Sequence, residues 1–228
     1  MDKAGKLEEL IRRKIRINES LIEHTLLKVS AVAQIYLEVD AQDVLIKTVA
    51  AARSLRIPIY ILGSGARIEA DQKIDGLVIK NLCRRFDKAS IKGNIKKKEI
   101  GVEAVQVYAQ AGTLMNQLVR FTIEEGLSGL EYQLGLPGTV GGAIFTNAKY
   151  KPKYLMVNKA LQSVTLLSEK GEMQTYTGDV PYFVFTDEEW KPSDDIILSA
   201  VFKLLPMDKK ILWERAEEAV KWRNEQKK

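Results

Sequence analysis

Apolar residues at helical spacing open the chain, and strand-like and helix-like patterns then alternate. Leu7, Leu10 and Ile11 recur at intervals of three and four, which predicts an amphipathic helix over 6–17. A β-rich run at 33–39, a helical pattern at 41–55 and a second apolar run at 57–62 follow. This succession predicts a strand–helix–strand unit whose second strand ends in a glycine-containing loop.

The remaining chain shows the same mixture. A strand is predicted at 76–79, and the lysine-rich segment 84–98 is expected to be an exposed hairpin or loop centred on Gly93 and Asn94. The pattern predicts a helix over 113–125, capped by Thr113 and ended by Gly126. Further strands are predicted at 102–111, 162–168, 173–177 and 196–204, and a C-terminal helix at 208–226.

Composition narrows the class of protein. The 228 residues are 46% hydrophobic, enough for one large domain or two small ones with a real core. No apolar run approaches the ~20 residues that cross a bilayer, and the N-terminus lacks the apolar stretch of a signal peptide. We therefore expect a cytoplasmic protein without a membrane partner.

The distribution of charge and the small number of metal-binding residues argue against a nucleic-acid-binding or metal-binding protein. Much of the net charge of +5 comes from 88–98 and the terminal Lys227 and Lys228, and the stretch 94–98 contains no aromatic residue, so no nucleic-acid partner is expected. One cysteine, Cys83, and one histidine, His24, offer too few ligands for a structural metal, and none is expected. Cys83 is predicted to be a small buried hydrophobe.

Two glycine-rich loops are the candidate binding features. The first, 62–67, follows a strand and can offer backbone N–H groups to a diphosphate, although a simple strand-terminating turn is the favoured explanation of this motif taken by itself. The second, 135–143, combines one proline with glycines that let the backbone approach a flat or charged group; its alternative is a tight structural crossing. Together the loops suit an extended dinucleotide such as FAD.

Six segments resemble, in order, the landmarks of the UDP-N-acetylenolpyruvoylglucosamine reductase family: 24–29, 58–67, 75–82, 111–114, 124–131 and, most closely, 135–148. The resemblance covers roughly 24–202. It implies an α+β fold of the vanillyl-alcohol-oxidase (PCMH) type, with FAD between two subdomains. The expected division is an N-terminal helix (1–20), FAD-binding subdomains (21–82 and 83–205) and a C-terminal helix (206–228) where the family's third domain would begin.

The resemblance also implies how FAD is held, noncovalently. The backbone amides of Gly63, Ser64, Gly65 and Ala66 would bind the pyrophosphate. The other loop would line the flavin and diphosphate with Pro137, Gly138, Thr139, Gly141 and Gly142. Leu62, Arg67 and Gly112 complete the expected cofactor-binding set. The family usually has serine and asparagine where this chain has Ala66 and Arg67, and Arg67 can offer its charge to a phosphate instead.

The family's activity is expected to be weak or absent. In the family, NADPH reduces the flavin, which passes hydride to the enolpyruvyl group during cell-wall peptidoglycan biosynthesis. Phe183, beside Tyr182, stands where the family has a catalytic arginine, and the segment 149–154 replaces a glycine-alanine-tyrosine-glycine motif. The family's catalytic serine and glutamate lie in a third domain beyond residue 228. No catalytic residue is therefore assigned, and His24 matches a family histidine without a catalytic role.

Three interpretations stay open from the residues alone. The first is a flavoprotein of oxidoreductase type, with NADPH as candidate reductant and any substrate site supplied by a protein partner. The second is a flavin-free relative that serves as an interaction module. The third is a fragment of a longer enzyme.

Overall fold

The computed structural model describes residues 2–66, 68, 70–96, 99–178 and 194–226. Within these ranges the chain divides into two compact units. The first contains residues up to Cys83 together with 166–174 and 194–198. The second begins at Arg84 and contains the other described residues. Two later segments therefore return to the first unit.

The first unit is a four-stranded sheet with two helices. Its elements are α1 (Lys3–Ile11), β1 (Arg16–Ser20), β2 (Val32–Val39), α2 (Gln42–Ser54), β3 (Ile59–Leu62) and β4 (Lys73–Asn81). The strand order is β1-β2-β4-β3, with β1 antiparallel and the other three parallel. The predicted strand–helix–strand unit is confirmed, but β4 lies between its two strands.

Alternate residues of β2 and β4 bury opposite faces of this sheet. Ile35 and Leu37 on β2 belong to a core that includes Leu7 of α1 and Leu45 of α2. On the other face, Tyr36 lies in a second core formed with residues from the irregular segment 21–31. Both faces are covered, which is typical of parallel sheets.

The N-terminal helix is shorter than the pattern predicted. Arg12 takes a left-handed conformation (φ 54°) and ends α1 at Ile11. Beyond it, residues predicted as helix form β1, where Ile17 pairs with Ile35 of β2. The prediction of helix to residue 17 was wrong because pairing with a sheet edge outweighs local propensity.

The second unit is built around a larger sheet. Its elements are β5 (Phe86–Lys96), β6 (Glu99–Gln110), α3 (Met115–Glu124), β7 (Leu127–Ser128), α4 (Val140–Phe145), β8 (Lys149–Tyr150), β9 (Leu155–Met156), β10 (Leu161–Leu167), β11 (Met173–Thr177), β12 (Ile196–Pro206) and α5 (Lys209–Glu225). The sheet order is β11-β10-β12-β6-β5, with β7 on β12 and with β8 and β9 paired separately. Parts of β10, β11 and β12 are grouped with the first unit.

The lysine-rich segment, predicted as an exposed hairpin or loop centred on Gly93 and Asn94, forms a strand of an antiparallel pair. β5 pairs antiparallel with β6 from Phe86 opposite Ala109 to Lys96 opposite Glu99. Gly93 and Asn94 are paired within the ladder, next to a register shift, and do not form its turn. The long strand β6 supplies the backbone hydrogen bonds of β5, and the lysine-rich sequence alone does not indicate this pairing.

The boundaries of α3 and α5 agree with the sequence to within two residues, except at one cap, whereas α4 was not predicted and begins inside the predicted loop 135–143. Gly126 follows α3 in a left-handed conformation (φ 68°), and Asp208 caps α5 by accepting from the N–H groups of Lys210 and Ile211. The N-cap of α3 is Leu114, without a side-chain bond, and Thr113 is buried one residue earlier. No helix in the described part of the chain is long and apolar enough to cross a membrane.

Arg53, in the last turn of α2, holds the two returning segments of the first unit. Its guanidinium donates to the carbonyl of Ser168 at 2.6 Å and to the carbonyl of Asp194. Arg53→Met should lower the free energy of unfolding by about 1–3 kcal/mol, because both carbonyls lose a charged donor. Lys47→Met, at an exposed position on the same helix, is the control and should change it little. Equal stability of the two variants in urea titrations would contradict this role.

Candidate functional site

The first glycine loop, 63–66, begins where β3 ends, at the carboxyl edge of the parallel strands. Two of its carbonyls, those of Gly63 and Ser64, accept hydrogen bonds from other segments of the unit. The ammonium of Lys80, on β4, donates to the carbonyls of Gly63 and His24, each at 2.6 Å. The N–H of Leu26 donates to the carbonyl of Ser64 at 2.7 Å. These bonds fix which way the peptide groups of the loop point.

The N–H groups of the same loop are left available. Among the described residues, no oxygen accepts a hydrogen bond from the backbone N–H of Gly63, Ser64, Gly65 or Ala66. Successive unpaired N–H groups at a turn form a concavity that binds anions. Leu62, just before the loop, is buried and anchors it. The residues assigned from the sequence thus have the donors that a diphosphate needs.

Gly65 is required at its position for two reasons. Its φ of +70° is left-handed, and a Cβ placed there would lie 2.5 Å from Cγ2 of Thr25. Thr25 cannot easily move, because its hydroxyl donates to the carbonyl of Leu21 and accepts from the N–H of Val29, both at 3.0 Å. The segment 21–29 therefore sets the shape of the loop.

His24 belongs to a polar network beside this segment. Its ring nitrogens lie 2.9 Å from Glu19 and 3.4 Å from Glu38, and its ring lies 4.4 Å from that of Tyr36. Hydrogen bonds with His24 and Arg16 hold the pKa of Glu19 below its ordinary value, and burial raises the pKa of Tyr36. These contacts hold the imidazole in place, which favours a structural role for His24.

The second loop, 137–142, lies in the second unit against the turn 111–113 that follows β6. The N–H groups of Val140 and Gly141 donate to the carbonyls of Thr113 and Ala111, both at 2.8 Å. The N–H of Met115 donates to the carbonyl of Gly138 at 3.0 Å. The structure thereby brings Gly112 next to Thr139 and Gly141, which the sequence had only placed in the same set.

Close packing explains the glycine at 141. A Cβ there would lie 2.9 Å from the Cβ of Ala111. Thr139 caps α4, its hydroxyl accepting from the N–H of Gly142 at 3.3 Å. Within the described residues, the N–H groups of Gly112, Gly138 and Thr139 donate to no protein oxygen. Of these three residues Gly138 is partly exposed, whereas Gly112 and Thr139 are buried; Gly141 and Gly142 add no side chain, and exposed Pro137 precedes them.

Some predicted positions lie outside the described residues: Arg67 of the first loop, and Tyr182 and Phe183. Lys80 was not predicted from the sequence. Its available signal was a lysine directly after the apolar run 77–79, and its role depends on a contact with a carbonyl 17 residues away.

Metal-binding and thiol chemistry find no support in the described ranges. No group of three or more histidine, cysteine, aspartate or glutamate residues there can hold a metal ion. Cys83 is buried, as predicted, and burial raises its pKa to about 11.

Substitution of Gly65 tests the constraint on the first loop. Gly171, also in the first unit, has a φ of +82°, but a Cβ added to it would meet no atom within 4 Å, so it isolates backbone strain from the clash. Gly171→Ala should cost about 1 kcal/mol of unfolding free energy, and Gly65→Ala about 1–3 kcal/mol more. Denaturant titrations measure both, and equal costs would show that Thr25 does not restrict the loop.

The comparisons with known proteins bear on the family and the fold. Residues 33–177 match the model of the FAD binding domain family. The UDP-N-acetylenolpyruvoylglucosamine reductase of Desulforamulus reducens is 32% identical over 183 residues, 80% of this chain and 56% of that protein. The reductase of Carboxydothermus hydrogenoformans is 30% identical over 222 residues, 96% of this chain and 69% of that protein.

A solved structure extends the likeness to three dimensions. UDP-N-acetylenolpyruvylglucosamine reductase from Thermus caldophilus matches with a TM-score of 0.66 and 25% identity, over 92% of this chain and 70% of that one. The α+β fold expected from the sequence is confirmed. The chain spans about half the length of several curated relatives, 56% and 49% in two of them. The chain belongs to the FAD-binding domain family and, within it, to the family of the UDP-N-acetylenolpyruvoylglucosamine reductases.

Proposed function

We propose that this chain is a flavoprotein that holds FAD noncovalently. The observation that carries the proposal is the orientation of the peptide groups in loop 63–66. Its Gly63 and Ser64 carbonyls are bound within the protein, while its N–H groups have no acceptor among the described residues. A diphosphate supplies those acceptors, and the ammonium of Lys80 adds a positive charge beneath them.

The second loop contributes differently. Gly112, Gly138 and Thr139 offer their N–H groups, and Gly141 and Gly142 keep the surface free of side chains. Pro137 restricts the chain at the entrance to this surface. Such a backbone surface suits the flat ring system and phosphates of a flavin nucleotide. When bound, FAD supplies hydride or electron transfer, and NADPH is the proposed reductant.

We further propose that the reductase activity of the family is weak or absent in this chain. Within the segment 149–154, which differs from the family's motif and is mostly exposed, Tyr150 and Lys153 contact the body of the second unit. Tyr150 is buried and donates to Glu218 at 3.0 Å, and Lys153 contacts Glu218 at 2.8 Å and the hydroxyl of Tyr132 at 2.7 Å. These side chains are held on α5, which favours a structural role over substrate contact. Any substrate site is proposed to come from a protein partner.

FAD binding is tested by titration with variants of Lys80. The wild-type chain should bind one FAD, quenching its fluorescence. Lys80→Met should weaken binding about tenfold, because it removes a charge and the bonds that orient Gly63. Lys73→Met, at the exposed start of the same strand, is the matched control and should bind like the wild type. A wild-type chain without FAD affinity would overturn the proposal and favour the interaction module.

The redox role is tested separately in the FAD-loaded protein. Under anaerobic conditions NADPH should bleach the flavin absorption bands. Adding UDP-N-acetylenolpyruvoylglucosamine should cause no further NADPH consumption beyond the background. Product formed in equal amount to the NADPH consumed would contradict the proposed loss of reductase activity, and a flavin that stays oxidised would contradict NADPH as reductant.

A further inference from the structure

Two arginines of α5 donate hydrogen bonds to the segment that leads into the second glycine loop. Arg215 donates to Glu131 at 3.0 Å, and Arg223, two turns later, donates to the carbonyl of Leu134 at 2.8 Å. Glu131 is buried and also accepts from the hydroxyl of Ser128 and the N–H of Gly129. The inner face of α5 thus binds residues 131–134 at both ends.

Arg223 is a buried cation whose hydrogen-bond acceptors are neutral. The residue is 8% exposed. Besides Leu134, its guanidinium donates to the carbonyl of Ala219 and to the side-chain oxygen of Gln133, each at 3.4 Å. Burial lowers its pKa, and no carboxylate of the described residues forms an ion pair with it. Burying a charge without a counter-ion is costly, so this position has a cost that hydrophobic packing alone would avoid.

The bond to Leu134 fixes the peptide at which the glycine loop begins. The next N–H, that of Gly135, donates to the side-chain oxygen of Asn116 on α3 at 2.7 Å. A Cβ on Gly135 would lie 3.3 Å from Val220 and 3.5 Å from Arg223. At the start of the loop, Asn116 of α3 therefore accepts from the N–H of Gly135. Arg223 of α5 donates to the preceding carbonyl, that of Leu134.

Aromatic rings and a second amide hold the guanidinium itself. The rings of Tyr150 and Trp222 have their centroids 5.8 and 5.9 Å from its central carbon. Gln133, which accepts from Arg223, donates in turn to the carbonyl of Leu155 at 3.1 Å. A planar fork between fixed acceptors and rings has little freedom, and a lysine cannot reproduce that geometry.

We propose that Arg223 is a positioning residue for the FAD site: by fixing the Leu134 carbonyl, it sets where the loop presents the N–H groups of Gly138 and Thr139. This inference rests on the proposed function. It adds that the last turn of α5 is coupled to the second glycine loop, so that a change at the C-terminal end of the helix alters flavin binding.

The test compares Arg223→Met and Arg223→Lys with Lys221→Met, an exposed α5 position that also loses a positive charge. Hydrogen exchange in 134–142 is measured without FAD at the amides bonded within the protein, including those of Gly135, Val140 and Gly141. FAD affinity and the visible circular dichroism of the bound flavin are measured with FAD. Arg223→Met should raise exchange at 134–142 and weaken FAD binding, each about tenfold, as expected for one charged hydrogen bond. Its bound flavin should have an altered dichroism, Arg223→Lys should be intermediate, and Lys221→Met should match the wild type.

Several results would overturn the inference. Arg223→Met with wild-type exchange, affinity and dichroism would do so, as would a lower melting temperature accompanied by unchanged flavin dichroism and affinity. If Arg223→Met does not fold, Arg223→Lys decides by the same readouts. If the wild-type chain binds no FAD, the proposed function fails, and unaltered exchange at 134–142 in the variants would separately show that Arg223 does not position the loop.

Discussion

Lys80 donates hydrogen bonds to the carbonyls of His24 and Gly63, and the first candidate site depends on this one ammonium group. The two carbonyls belong to segments that are far apart in sequence. The bond to Gly63 fixes the peptide that carries the N–H of Ser64, and the N–H groups of loop 63–66 have no acceptor among the described residues. The parallel pairing of β3 with β4 makes this possible, since Leu62 lies opposite Lys80 in the ladder. This arrangement is the basis of the proposal that the loop binds an anion.

The second unit reaches a comparable arrangement without a lysine. There the turn 111–113 accepts the N–H groups of Val140 and Gly141, and the N–H groups of Gly112, Gly138 and Thr139 have no acceptor among the described residues. The α3 and α5 helices fix the approach to this loop through Asn116 and Arg223. In both units, backbone groups bonded inside the protein determine which neighbouring backbone groups stay available to a ligand.

The sequence was sufficient for most elements and for both glycine loops. Periodicity predicted α2, α3 and α5 to within a few residues, because each has a buried apolar stripe. It could not predict that β4 enters between β2 and β3, or that β1 and β5 are strands, because those depend on pairing partners distant in the chain. Lys80 and Arg223 were missed for the same reason: their acceptors are backbone carbonyls, which no sequence pattern marks.

The most direct test of the account is hydrogen exchange across the chain with and without FAD, resolved to individual amides. The account predicts that FAD slows exchange at Gly63, Ser64, Gly65 and Ala66, and at Gly112, Gly138 and Thr139. It also predicts little change at Gly141, whose N–H is already bound to Ala111. FAD-dependent protection that misses loop 63–66, or no protection at a saturating FAD concentration, would contradict the central claim.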